Sequence, residues 1–396
     1  VSGFDAMWSD LAPVGRHPAT GGYRRYAWTR TDAALREWFC GEASERGLDV
    51  VPDRAGNLWA WTADPDAGRP GLVMGSHLDS VPDGGAFDGP LGVVSAFAAL
   101  DLVRARGLSP RRPLGVVCSS DEEGARFGVA CAGSRLLTGA LDPDRARRLT
   151  DDDGTTLAEA VSAAGGDPGS LDRDDEALRR IGTFLELHVE QGRGLADGDA
   201  PVGIATAIRP HGRWRLDLPG RADHAGTTRL EDRRDPLLPL AAVIRAARDA
   251  AAAHGVLATV GKVLVTPNAV NAIPSAVTAW LDARGLPEAA VRAVVAEVGA
   301  SGGIDPVEES WTPATVFDPE LRDVVAAAAG GDRGPAPLLD TGAGHDAGIL
   351  AAAGVPSAML FVRNPTGVSH SPAEHAERDD CLAGVEALAR AVEALV

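Results

Sequence analysis

Cysteine is scarce in this sequence. Cys40, Cys118, Cys131 and Cys381 are scattered through 396 residues with no CxxC pair. That excludes a disulfide framework, and the four read as reduced structural thiols of a cytosolic protein. Positive charge is also short: 38 Lys and Arg face 56 Asp and Glu, for a formal net charge of −18. This argues against nucleic acid and anionic membrane as partners. It leaves room for a small anionic substrate, because a local arginine overrides the global field. No apolar stretch is long and uninterrupted enough to span a bilayer. The N-terminal VSGFDAMWSD lacks a basic, apolar, small-residue signal pattern. The expected location is therefore the cytoplasm. There is no internal repeat and no long polar tract, so the whole chain can fold. Its length exceeds one comfortable core and predicts two domains.

The first half alternates strand and helix. Residues 30–47 read as helix, 71–76 (GLVMGS) as strand and 90–106 as a buried helix. Residues 113–118 (PLGVVC) and 183–188 (TFLELH) read as strands. The Asp-rich stretch 141–180 reads as a loosely helical surface excursion. This alternation predicts an α/β domain with a mostly parallel sheet between helices. From about 208 the pattern changes. Strands at 213–218, 258–265, 275–283 and 304–311, with helices at 236–253 and 287–299, give the order βαββαβ of the ferredoxin-like plan. After about 317 helix–strand alternation returns, with 357–363 (SAMLFVR) as a buried strand. The expected organisation is a catalytic domain of 1–207 and 317–396, with an inserted α/β domain at 208–316.

The chemistry-bearing residues fall at strand ends. His77 follows strand 71–76, and Glu122 and Glu123 follow strand 113–118. His188 ends strand 183–188, and His370 follows strand 357–363. Open α/β sheets build their sites at the carboxyl ends of strands. Singly, each histidine is an ordinary structural residue, Asp88 in AFDGP a turn residue, and the Glu pair a solvated charge patch. Together they form a set of three histidines and several carboxylates. Such a set suits Zn, or Mn and Co, better than Ca or Mg. One acid of the Glu-Glu pair can bind metal while its neighbour handles protons.

The segments GSHLDSVPDGGAFDGP, SSDEEGARFG, ELHVEQG, ADHAGTT, VNAIPS and GAGHDA carry a specific resemblance. They resemble the dinuclear metallohydrolase superfamily of aminoacylases and carboxypeptidase-G-type exopeptidases. The branch they match is that of N-carbamoyl-L-amino-acid hydrolases, β-ureidopropionases and allantoate amidohydrolases. The resemblance spans nearly the full chain. It implies two divalent metal ions, with His77 and His188 on one, Glu123 and His370 on the other, and Asp88 bridging. It implies that Asp79 orients His77 and that Glu122 is the general base, taking a proton from the attacking water and passing it to the leaving nitrogen.

The same resemblance makes the inserted domain a lid and homodimer contact. His224 would stabilise the tetrahedral oxyanion. Asn271 and Arg284 would hold the substrate carboxylate, a guanidinium being suited to grip it through two hydrogen bonds. Gln191 and Gly344 would line the pocket, and His345 and Asp346 are candidates for a supporting role. The metal ligands lie in one domain and Arg284 in the other, so catalysis is expected to need closure. Two positions depart from the family pattern: Arg229-Leu230 stands where Pro-Met is common, and Arg363-Asn364 where Pro-Ser is common. The two added arginines are either surface charges or contacts for a second anionic group, as on an N-carbamoyl or N-formyl acidic amino acid. The expected activity is hydrolysis of a linear C–N bond in a small N-acyl amino acid. Dipeptidase or aminoacylase chemistry is an alternative, and a non-catalytic binding protein is the alternative of another class.

Overall fold

Strands buried on both faces need apolar side chains throughout rather than alternation, and the runs GLVMGSH, LGVVCS and IGTFLELHV meet that demand. The computed structural model describes residues 2–396. It places these runs as β3 (Gly71–His77), β4 (Leu114–Ser119) and β5 (Ile181–Val189), after a hairpin of β1 (Asp49–Pro52) and β2 (Leu58–Trp61). β6 (Val202–Ile208) completes the first stretch of this unit. The next unit contains β7 (His211–Pro219), β8 (Asp223–His224), β9 (Leu257–Thr266), β10 (Ala272–Ile273), β11 (Ala276–Arg284) and β12 (Val307–Thr312). The chain then returns through β13 (Thr315–Val316), β14 (Leu338–Thr341) and β15 (Ser357–Val362).

The first unit comprises the residues up to Thr206 together with Val316–Val396. Its nine-stranded sheet runs β1-β2-β4-β3-β5-β15-β6-β13, with β14 also paired to β6. The centre is parallel: β3 pairs with β4 and β5, and β5 with β15. The flanking pairs β1–β2, β2–β4 and β6–β15 are antiparallel. Helix Pro90–Ala105 is buried continuously from Pro90 to Leu100 and becomes charged only in its last turns, at Asp101 and Arg104, with proline in its first turn. It shares a core with helix Arg378–Leu395, through Val93, Phe97, Leu100, Val385 and Leu388. The 141–180 excursion consists of short helices. Three are capped by side chains of Asp142, Thr156 and Asp174. The β1–β2 hairpin was not expected from the sequence; its strands are four residues each, too short for a periodicity signal.

The second unit is Ala207–Thr315. Its antiparallel sheet has the order β12-β7-β11-β9. Trp214, Leu216 and Leu218 alternate on β7, and Val277, Ala279 and Leu281 on β11. Helices Leu237–His254 and Glu288–Gly302 cover that face with Val243, Val291 and Val294. The last strand starts at Val307 rather than 304, because Pro306 offers no N–H to a ladder. No helix among the described residues is long and apolar enough to cross a membrane. All four cysteines are free thiols.

Candidate metal centre

The parallel strands β3, β4, β5 and β15 deliver His77, the Ser120–Glu123 turn, His188 and the His370 loop to one end of the sheet. Asp88 comes from the turn that starts helix Pro90–Ala105. The following Gly89 has φ 86°, and a Cβ there would fall 2.4–2.7 Å from the His77 ring. The glycine of AFDGP is thus needed for both backbone and space. Gly89→Ala is expected to cost about 2–4 kcal/mol of stability, from strain plus overpacking. Urea unfolding checks this; a variant as stable as the parent would contradict it.

Asp88 sits between two groups of ligand-type side chains. Its Oδ1 lies 3.6 Å from His77 Nε2 and 3.2 Å from His188 Nε2. Its Oδ2 lies 3.4 Å from His370 Nε2, which is 3.6 Å from Glu123 Oε2. Two triads result, His77–Asp88–His188 and Asp88–Glu123–His370, each with ligand atoms within 4.8 Å of one another. Glu122 turns away from its neighbour: its Oε2 lies 3.7 Å from His77 Nε2.

The donor set fits divalent cations. His77 Nδ1 lies 3.2 Å from the Asp79 carbonyl, and His188 Nδ1 2.9 Å from that of Val189. Those contacts put the ring proton on Nδ1 and turn the Nε2 lone pair inward. His77 Nε2, His188 Nε2 and Glu123 Oε1 are buried without a hydrogen-bond partner, a costly arrangement that metal coordination resolves. The electrostatics agree. Burial pulls the His77 imidazolium down, yet Glu122, Asp79 and Asp88 outweigh it and hold it well above its ordinary value. Burial pushes Asp88 up, but His188, His370 and His77 hold it well below. Burial, with Asp346, Glu123 and Asp79 nearby, raises Glu122 well above the carboxylate range. Glu123 is pushed up to about 7, by burial and then by Asp88. This crowd of buried acids gains from nearby positive charge.

The supporting contacts were only partly expected. Asp79 touches His77, with Oδ1 3.4 Å from Nδ1. Its carboxylate also accepts from the backbone N–H of Glu122 (3.1 Å) and Glu123 (3.0 Å), so it positions the acid pair. Glu374 was missed. Its Oε1 accepts from the backbone N–H of Phe87 and Asp88, and its Oε2 from Ser369. Asn57 was missed too: its Oδ1 accepts from Ser120 N, and its amide donates to half-buried Asp53. Glu186 accepts from Ser76 and from the backbone of Ala347, and Asp346 from Ser134. His345 stacks at a tilt 4.5 Å from His188. Gly344 is half-buried beside it. A buried acid whose partners lie far along the chain leaves no periodic trace, which is why spacing did not reveal Glu374 or Glu186.

Some expected substrate contacts are otherwise engaged. Gln191 donates to Asp88 Oδ2 at 3.0 Å and to Ser369, so its amide braces a ligand. Arg363, expected as a possible anion contact, pairs with two acids. Its Nε and Nη2 grip Asp380, and its Nη1 grips Asp199, so its guanidinium fork is occupied. Arg229 is exposed.

In the second unit, β8 pairs with β10 and brings His224 beside Asn271, with Ala225 N donating to Asn271 O at 3.0 Å. Arg284 is not brought there. It pairs with His211 at the opposite end of β11 from Ala276, roughly 25 Å of strand away. Its guanidinium makes two bonds to Asp282, at 2.7 and 2.6 Å. Asn271 and Arg284, both expected as carboxylate contacts, thus stand near opposite ends of β11 within this unit. Burial would push Asp282 up, but Arg284, Arg213 and His211 prevail and hold it below its ordinary 3.8. A depressed carboxyl adds stability above its unfolded pKa and loses it as pH falls through the folded one. Asp282→Asn should thus be less stable than the parent at neutral pH, with the gap closing below about pH 4. Thermal melts across pH 3–7 read this; a gap that stays constant would refute the pairing.

The sequence matches the peptidase family M20/M25/M40 across residues 73–394. It is 38% identical to an N-carbamoyl-L-amino acid amidohydrolase of Geobacillus stearothermophilus, over 97% of this chain and 96% of that one. It is 30% identical to the allantoate amidohydrolase of Escherichia coli, over 96% and 94%. A solved amidase of the hydantoinase/carbamoylase family from Burkholderia vietnamiensis superposes with a TM-score of 0.90 at 30% identity, over 98% and 96%. With its ligand-rich strand ends and these matches over nearly its whole length, the chain belongs to the metal-dependent peptidase family M20/M25/M40, in the carbamoylase and allantoate amidohydrolase branch that hydrolyses carbon–nitrogen bonds outside peptides.

Proposed function

We propose that this chain hydrolyses the carbamoyl or ureido C–N bond of an N-carbamoyl-L-amino acid or of allantoate, using two divalent ions and Glu122 as general base. The observation that carries the reading is the division of Asp88 between two ligand triads beside a buried carboxylate that belongs to neither. His77, His188 and Asp88 would hold one ion; Glu123, His370 and Asp88 the other. Zn fits this mixed nitrogen and oxygen set, and Mn or Co would be accepted. When bound, the ions supply Lewis acidity at the scissile carbonyl and acidify the attacking water. Glu122 takes the proton of that water and returns it to the leaving nitrogen. Asp79 keeps Glu122 and Glu123 in register through their backbone N–H groups, and Glu374 does the same for Asp88.

His224 and Asn271 enter the proposal as contacts for the oxyanion and the substrate carboxylate. A homodimer through the second unit is part of the same reading. Edge strand β9 leaves one side unpaired and exposes Leu257, Val263 and Leu264. Sedimentation of the protein and of a β9 charge variant tests it.

The deciding experiment is a substrate panel on metal-reconstituted protein, reading amino-acid release from N-carbamoyl, N-formyl and N-acetyl amino acids, allantoate and dipeptides. Release from carbamoyl or ureido substrates is expected; turnover confined to dipeptides would sink the reading. For a dianionic substrate, Arg229 is the exposed candidate for the extra contact, with Arg363 paired to Asp380 and Asp199. Arg229→Ala should then lower kcat/KM on N-carbamoyl-glutamate by about 10-fold relative to N-carbamoyl-alanine. Equal losses on both would remove that variant of the reading.

A further inference from the structure

We propose that Cys131 is a positioning residue for Glu122: its thiol donates a hydrogen bond to Oε1, fixing the carboxylate plane and leaving Oε2 to carry the proton. The inference rests on the assignment of Glu122 as general base. Cys131 Sγ lies 3.3 Å from Glu122 Oε1, while Oε2 faces His77 Nε2. A carboxylate rotates freely about its terminal bond unless one oxygen is held, and the hydrogen bond to this carboxylate comes from Cys131.

The thiol has little freedom to be elsewhere. Cys131 is 2% exposed and adopts φ 54°, in the left-handed region that non-glycine residues rarely occupy. Three successive backbone N–H groups, of Cys131, Ala132 and Gly133, donate to the carbonyls of Glu122, Asp121 and Ser120. The two segments are therefore zipped together in one register. A Cβ on Gly133 would meet Asn57 Oδ1 at 2.2 Å and Ser120 O at 2.6 Å, so the zipper is closed without slack. Burial, with Glu122 and Asp346 close by, keeps the thiol protonated and hence a donor. The chemistry needs a small donor that fits a dry site, and a thiol meets that need while packing like an apolar group.

The test uses Cys131→Ala, Cys131→Ser, Glu122→Gln and Glu122→Ala, with thermal melts to establish folding. Cys131→Ala should lower kcat by about 10- to 150-fold, the worth of one hydrogen bond to a charged group, with KM within about twofold. Cys131→Ser retains a donor and should recover most of the loss. A readout independent of turnover is the S–H stretching band of metal-free protein. The Cys131 band, identified by its absence in Cys131→Ala, should lie low in frequency and move up in Glu122→Ala, which removes the acceptor. Wild-type kcat in folded Cys131→Ala, or a Cys131 band indifferent to Glu122→Ala, overturns the proposal. A fully active Glu122→Gln instead overturns the general-base assignment, and the positioning role falls with it. A dead Glu122→Gln beside a fully active Cys131→Ala overturns the role of Cys131 alone.

Discussion

Glu122→Gln should lower kcat by about 10²–10⁴-fold, the range general acid–base catalysis supplies, while both metal ions stay bound. The glutamine keeps the shape of the side chain and one carbonyl oxygen, but it accepts no proton from water at neutral pH. Glu122 belongs to neither ligand triad, so metal content measured by elemental analysis should equal that of the parent. Activity within tenfold of the parent would show that another group moves the proton. Loss of metal would show that Glu122 is a ligand, and that the division of labour between the adjacent acids is wrong.

Asp88→Ala should do the reverse in the metal assay. Both triads lose their shared carboxylate, so both ions should be weakened together. Activity should fall by about 10³-fold or more, since several kcal/mol of barrier lowering depend on bound metal. Glu374→Gln gives a graded companion. Its carboxylate holds the backbone N–H of Asp88 and Phe87, and such supporting groups typically account for about 10–100-fold in metal affinity. Two ions retained at full affinity in Asp88→Ala would contradict the bridging geometry. With Glu122→Gln, these variants separate proton transfer from metal retention.

Much of this centre is legible in the sequence because strand ends are legible. The run GLVMGS must be a buried strand, so His77 must lie at its end, and the same argument places His188 after TFLEL. Asp88 needed the motif, since a turn acid in AFDGP has no periodic signature. The supporting contacts were illegible for a different reason. Glu374 reaches Asp88 across 286 positions of sequence, and Asn57 reaches Ser120 across 63. Contacts of that range are set by tertiary packing, to which local pattern is blind. The arginines show another limit of sequence: it displays charge without partners, and in the folded chain Asp380 and Asp199 engage Arg363 while Asp282 engages Arg284.

The order of the strands also governs when the enzyme can come into being. β15 lies between β5 and β6 in the sheet, although more than a hundred residues separate it from either in synthesis. A nascent chain on the ribosome has β5 and β6 early but no strand to set between them, and neither His370 nor Glu374. The second unit, by contrast, is one continuous stretch and can fold as it emerges. Of the two triads, His77–Asp88–His188 is therefore complete in the first half of the chain, and Asp88–Glu123–His370 only after the loop that follows β15 has been made.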